Sequence, residues 1–186
     1  ADFTRTTLKL PIHLDGARLW NASAATGTSL ADFAACADTV MVSFSKGLGA
    51  PVGAALAGST THIEEAFVAR KRFGGGMRQS GILAAAALHG LDHHLGRLGE
   101  DNANAARLAA IVAEGVPDVR VVPPDTNIVM IDLPSRINAG TVEARARAQG
   151  VLVSQWNDAR VRVVCHLDAS RAQVEQAALV LVAALA

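Results

Sequence analysis

Lys46 has the sequence setting best suited to covalent chemistry. It lies in VMVSFSKGLGAPVG, where the apolar run Thr39–Phe44 leads into a glycine-rich turn with no other charge nearby. A lysine there is expected to be desolvated, which favours the neutral amine, the form that attacks a carbonyl carbon. A solvated loop lysine is the plainer alternative. Ser43 and Lys46 also have the Ser-x-x-Lys spacing of serine acylases, but those enzymes carry Ser-Asp-Asn and Lys-Thr-Gly downstream, and neither occurs here.

Asp15 is the second candidate. It ends a short apolar run, Leu10–Leu14, and precedes Gly16, Ala17 and Arg18. A lone Asp-Gly usually makes only a turn. At the carboxyl end of a buried strand, however, an aspartate stands where α/β sheets bind ligands. The pair is more informative than either residue. Two apolar strands with a helical crossover between them can turn Asp15 and Lys46 toward one crevice. An aldehyde needs an amine, and a pyridinium nitrogen needs an anion.

Four segments, HLDGARLWNA, SFSKGLGAPVG, RKRFGGGMRQSGILAAA and RVRVVCHLDASRAQVEQA, occur in this order across most of residues 12–186. Together they resemble the threonine aldolase branch of the β-eliminating lyases, pyridoxal-phosphate enzymes of the type I aminotransferase fold. The resemblance is to that family's C-terminal half only. It implies that Lys46 holds pyridoxal 5'-phosphate as a Schiff base and that Asp15 keeps the pyridine nitrogen protonated. It places Arg18 beside the cofactor's phenolic oxygen and the substrate carboxylate, which Arg162 also grips. Arg78 is expected near the site, reaching a neighbouring subunit's cofactor, and Ser45 beside Lys46. The implied reaction is retro-aldol cleavage of L-threonine or L-allo-threonine to glycine and acetaldehyde. Alternatives are β-elimination on another amino acid, or a non-catalytic remnant of such an enzyme. The family's histidine base is expected in the half that this chain does not match. The implied assembly is a homo-oligomer, dimer or tetramer, with shared sites.

The remaining histidines and cysteines read more simply. His89 and His93 lie one helical turn apart without HExxH character, so a solvated face is expected rather than a metal site. His13 and His166 read as structural neighbours of Asp15 and Arg162. Cys36 and Cys165 fall outside any CxxC spacing and read as small buried hydrophobes in a reducing compartment.

The elements that must position these groups follow from pattern. Thr39–Phe44 and Val52–Ala57 read as strands with both faces covered. Thr61–Phe73 reads as a helix capped by Thr61 and Glu64 and stopped at Gly74–Gly76. Helices are expected over Ser80–Leu95 and Arg97–Glu114. Beyond them, Val119–Val122, Ile128–Leu133, Val151–Val153 and Arg160–Val164 read as strands, with helices at Ala139–Gln149 and Arg171–Leu185. The expected fold class is α/β: a partial large domain of the type I fold (1–99, carrying Asp15 and Lys46) and a small α+β domain (100–186). About three strands in the first half are fewer than a doubly wound sheet holds.

Bulk properties narrow the partner. Of 186 residues, 51% are hydrophobic and 18% charged, and 17 basic residues balance 17 acidic ones. A phosphate-binding surface needs a basic excess, so nucleic acid is not the expected partner. No stretch has a signal-peptide core or the ~20 apolar residues of a membrane span. The expected partner is therefore a small β-hydroxy amino acid, with no membrane, and the expected location is the cytoplasm.

Overall fold

The computed structural model describes residues 1–186, which divide into two compact units, Ala1–Leu98 and Gly99–Ala186. The first holds a three-stranded sheet of order β1-β2-β3: β1 (His13–Gly16), β2 (Thr39–Ser43) and β3 (Ala54–Gly58). β1 and β2 are parallel, joined by helices α1 (Leu19–Thr26) and α2 (Leu30–Ala35), while β3 returns antiparallel to β2. A π-helix, Phe3–Leu8, precedes the sheet. Helices α3 (Thr60–Arg72) and α4 (Gly81–His93) follow, then a short 3-10 turn, Leu95–Arg97.

Several boundaries differ from expectation for physical reasons. The first strand begins at His13 rather than Leu10, because pairing starts at His13 opposite Thr39; Leu10 is exposed. Just before it, the Ile12 amide donates to the Asp38 carboxylate at 2.7 Å and the Asp38 amide to the Ile12 carbonyl at 2.8 Å. The cap of α3 is Ser59, whose hydroxyl accepts from the His62 amide, and Thr61 lies inside the helix. The stop at Gly74 holds: this residue has φ 79°, a left-handed conformation that glycine adopts without strain.

The second unit is a closed α+β layer. Helix α5 begins at the boundary (Leu98–Gly115) and leads to β4 (Arg120–Val122), β5 (Ile128–Asp132), α6 (Ala139–Ala148), β6 (Ser154–Asn157), β7 (Arg160–Val164) and α7 (Arg171–Leu185). The strands form an antiparallel sheet of order β4-β5-β7-β6. Alternation along β5 and β7 sends Val129, Ile131, Val161 and Val163 into the core, where they meet Leu108, Val112, Val142 and Leu181. Val151–Val153 is not a strand. It is an extended link that buries Val153, and the polar run Ser154–Asn157 forms the edge strand through its backbone instead. Apolarity marked the buried anchor, not the pairing residues. Helix α7 opens with a reciprocal capping box between Ser170 and Gln173.

On the outer face, Asp132 of β5 faces Arg160 of β7 and pairs with it, with Arg120 as a second partner. The hydrogen bond from Arg160 holds the Asp132 carboxyl below its ordinary value; burial opposes it, and the positive charges of Arg160 and Arg120 add to the lowering. A depressed folded-state pKa contributes stability that is present above the unfolded value and lost as pH falls through the folded one. Asp132→Asn is therefore expected to lower the melting midpoint of this unit at neutral pH by about 4 °C or less, the scale of a part-exposed pair. Wild type and variant should converge only once pH has fallen through the depressed folded-state pKa, below the ordinary aspartate value, where both side chains are uncharged. Melting curves at both pH values check this; a gap that persists at low pH would assign the effect to packing.

Candidate active site

Because β1 and β2 run parallel, Asp15 near the end of β1 and Lys46 three residues past β2 lie at the same, carboxyl-terminal edge of the sheet. The approach of the two strands is tight at Gly16, where a Cβ would stand 2.5 Å from the Met41 carbonyl oxygen. Only glycine fits there, which explains the Asp-Gly pair better than a turn does. The Asp15 carboxylate accepts from the Ala17 amide at 3.0 Å and is otherwise exposed to solvent. The chain then enters α1 through Arg18, which is half-buried.

The loop after β2 is bound to its surroundings at several points. Trp20 donates from Nε1 to the Ser43 carbonyl at 2.9 Å, and its ring stacks near Phe44 with centroids 6.3 Å apart. The Phe44 amide donates to the Gly53 carbonyl and the Ala50 amide to the Phe44 carbonyl, both at 3.0 Å, which closes the base of the loop. Within it, the Gly49 amide donates to the Lys46 carbonyl at 2.9 Å, so Lys46 is the first residue of a β-turn. Gly49 has φ 72°, the second place where glycine is required. Gly47 packs against Asn21, which is buried, and Leu48 is completely buried.

Lys46 itself is exposed, and its amine makes no hydrogen bond or ion pair. The expected desolvation is therefore not found in this chain. The apolar residues around Lys46 in sequence bury themselves beneath the turn and do not enclose the amine. Ser43 is buried with its hydroxyl 3.3 Å from that of Ser45, so it has no acylase-like pairing with Lys46. Ser45 is thus beside the lysine in chain and joined to the strand end.

Arg78 is exposed in the link between α3 and α4. Arg162 belongs to the second unit, on β7 between Met130 and Ser154, with its guanidinium 5.6 Å from the centre of the Trp156 ring. Two residues away, Arg160 is engaged by Asp132, whereas Arg162 makes no ion pair. His166 lies 3.4 Å from Asp168, a local contact in the same unit. Cys165 is buried there, and burial pushes its thiol up to about 11; Cys36 is exposed, unlike the expectation. Sequence reasoning passed over Trp20 and Asn21, although both lie in the segment HLDGARLWNA, because only Asp15 and Arg18 were given roles there. It also missed His94, which meets the loop from 46 residues downstream.

The donor set at the sheet edge fits a pyridoxal group. An unpaired primary amine just past β2 and a solvent-facing carboxylate near the end of β1, its parallel neighbour, supply an imine partner and an anion for a ring nitrogen.

Comparison with known proteins agrees with this chemistry. The chain is 41% identical over 177 residues to low specificity L-threonine aldolase of Escherichia coli O157:H7, covering 95% of this chain and 51% of the relative. It is 41% identical over 162 residues to low-specificity L-threonine aldolase 1 of Arabidopsis thaliana, covering 83% of this chain and 44% of that one. The chain thus spans about half the length of the curated relatives it matches. A Listeria monocytogenes crystal structure, assigned as an L-allo-threonine aldolase, superposes with TM-score 0.77 at 25% identity, over 97% of this chain and 53% of that one. The α-aminoadipate aminotransferase of Thermus thermophilus, solved with N-(5'-phosphopyridoxyl)-L-leucine, shares the fold with TM-score 0.72 at 18% identity, over 97% and 51%. The fold is the expected α/β one, that of type I pyridoxal-phosphate enzymes, of which this chain matches about half. The model of the β-eliminating lyase family matches residues 4–135, and the chain belongs to that family.

Proposed function

We propose that this chain is the C-terminal half of a pyridoxal-phosphate lyase that cleaves L-threonine or L-allo-threonine to glycine and acetaldehyde. The carrying observation is Asp15 and Lys46 at one edge of a parallel strand pair, in a chain 41% identical to low specificity L-threonine aldolases. The family and its structural relatives imply pyridoxal phosphate. When bound, it supplies an aldehyde for amines and an electron-poor ring that accepts the electron pair of a breaking bond at Cα.

The protein's part is binding and orientation. Lys46 Nζ would hold the cofactor through its aldehyde. The Asp15 carboxylate keeps a proton on the pyridine nitrogen, its own direction set by the Ala17 amide. Arg18 and Arg162 would each bind the substrate carboxylate and so orient the substrate. A base outside these residues takes the β-hydroxyl proton, and glycine leaves after a proton returns to Cα. Residues 1–99 would be the partial cofactor domain and 100–186 the small domain. Arg78 would reach the site of a neighbouring subunit in a cytoplasmic homo-oligomer with shared sites, and Ser45 would steady the lysine loop. No helix is long and apolar enough to cross a membrane, and the partner proposed is a small amino acid.

The family's name leaves β-elimination on another amino acid as a second reading, and the products separate the two. When the chain is joined to the N-terminal half of the E. coli relative, L-threonine should release acetaldehyde and glycine in equal amounts. Appearance of 2-oxobutanoate and ammonia instead would assign β-elimination, and no release from either threonine isomer would refute the aldolase reading.

A further inference from the structure

The Lys46 amine is held by nothing at its own end, so its direction depends on the turn from which it projects. That turn is gripped from one side at the Leu48 carbonyl. At Gly90 of α4, an added Cβ would stand 2.5 Å from this oxygen, so helix and turn are in direct backbone contact. One helical turn later, His94 Nδ1 lies 2.7 Å from the same oxygen. A carbonyl can only accept, so Nδ1 carries the proton. The His94 amide donates to the Gly90 carbonyl at 2.9 Å, which makes this histidine the last residue ordered by α4. Its ring is braced edge-on by His89, with centroids 5.3 Å apart, and His89 in turn meets His93 at 4.4 Å.

We propose that His94 is a positioning residue for Lys46, fixing the lysine turn to α4 through a hydrogen bond from Nδ1 to the Leu48 carbonyl. This rests on Lys46 being the cofactor lysine. Leu48 has no exposed surface, so its carbonyl lies beneath the turn, where loss of the donor leaves a poorly solvated acceptor. The turn would then re-form around a different partner, and the amine at its first residue would lose its fixed direction. His94 touches no reacting atom; it acts through the backbone of residues 46–49.

The test compares His94→Phe, which keeps a ring but has no donor, with His94→Asn, whose amide N–H falls near the place of Nδ1. Both are made in the chain joined to the E. coli N-terminal half, and pyridoxal phosphate is the probe. At limiting probe, borohydride trapping on Lys46 should fall roughly tenfold in the Phe variant, the scale of one buried hydrogen bond. Trapping on Lys9 and Lys71, which are not part of this turn, should not change, and kcat should fall while the KM for threonine stays put. The Asn variant should remain within about twofold of wild type, since it keeps the donor. Gly90→Ala, which displaces the Leu48 carbonyl without touching His94, should reproduce the Phe variant.

A structural loss unrelated to Lys46 would instead depress trapping at all three lysines. That result, or a Phe variant with normal Lys46 trapping, overturns the positioning role. If the wild-type label sits on Lys9 or Lys71, the lysine assignment fails as well, so the two failures are distinct. On the unaltered 186-residue chain, imidazole nitrogen NMR should find His94 in the Nδ1–H tautomer. An Nε2–H tautomer there would overturn the proposal without any variant.

Discussion

Lys46→Ala should abolish covalent attachment of pyridoxal phosphate in the chain joined to the family's N-terminal half. Lys9, Lys46 and Lys71 are the only lysines of this chain, so it supplies two internal controls of its own. Lys9 sits in a left-handed turn before the first strand, and Lys71 is exposed in the last turn of α3. Neither follows a strand that runs parallel to the one carrying Asp15. Only a primary amine can condense with the aldehyde, and no residue beside position 46 can replace it; Ser45 and Ser43 offer hydroxyls. Borohydride reduction and peptide mapping should therefore place the pyridoxyl group on the wild-type peptide containing Lys46 and nowhere in the variant. Turnover should fall by at least about 10²-fold, the low end of what losing a group that handles protons costs. A pyridoxyl group on Lys9 or Lys71 would sink the assignment.

The 186 residues by themselves should show negligible threonine cleavage, and their first unit should self-associate. Its core explains why. Five hydrophobic side chains are buried there, Leu19, Val40, Leu48, Ala50 and Leu98, against twenty-two in the second unit. Every residue of β3 is exposed, and Phe67, Phe73, Met77, Ile82 and Leu88 on or beside α3 and α4 face solvent. Apolar surface of this kind is covered in a soluble enzyme or becomes a site of association. An edge strand with open backbone groups adds to the hazard. Lys46 can still meet free pyridoxal phosphate, but a ring held only at its aldehyde is not oriented for bond cleavage. Orientation can account for roughly 7–11 kcal/mol of a barrier, so its loss should bring the rate near background. Acetaldehyde release coupled to alcohol dehydrogenase, with excess pyridoxal phosphate, measures this. Turnover of about 1 per second or more would refute it. Light scattering should show concentration-dependent association that disappears when residues 99–186 are studied alone, because their core is already closed.

Type and spacing in the sequence already determined much of this protein. The two central strands, the helices of the second unit and the three-stranded shortage of the first were legible from apolar runs and turn residues, because burial acts on side chains in order along the chain. Arg160–Val164 and Arg171–Leu185 were read to the residue, and the structure shows why their bounds are sharp: β7 alternates buried and half-buried residues, and Ser170 caps α7. The Asp15–Lys46 pair was legible for the same reason: each ends or follows an apolar strand.

Tertiary structure decided what depends on partners distant in the chain. It placed Lys46 in the open, because the turn buries Leu48 in its stead, and no count of apolar neighbours could tell which side of a turn faces inward. It moved the sixth strand from Val151–Val153 to Ser154–Asn157, because pairing with β7 is a backbone matter to which side-chain character is nearly irrelevant. It also brought His94 to Leu48 across 46 residues, a contact that exists only because Gly90 lets a helix approach a turn more closely than any side chain would allow.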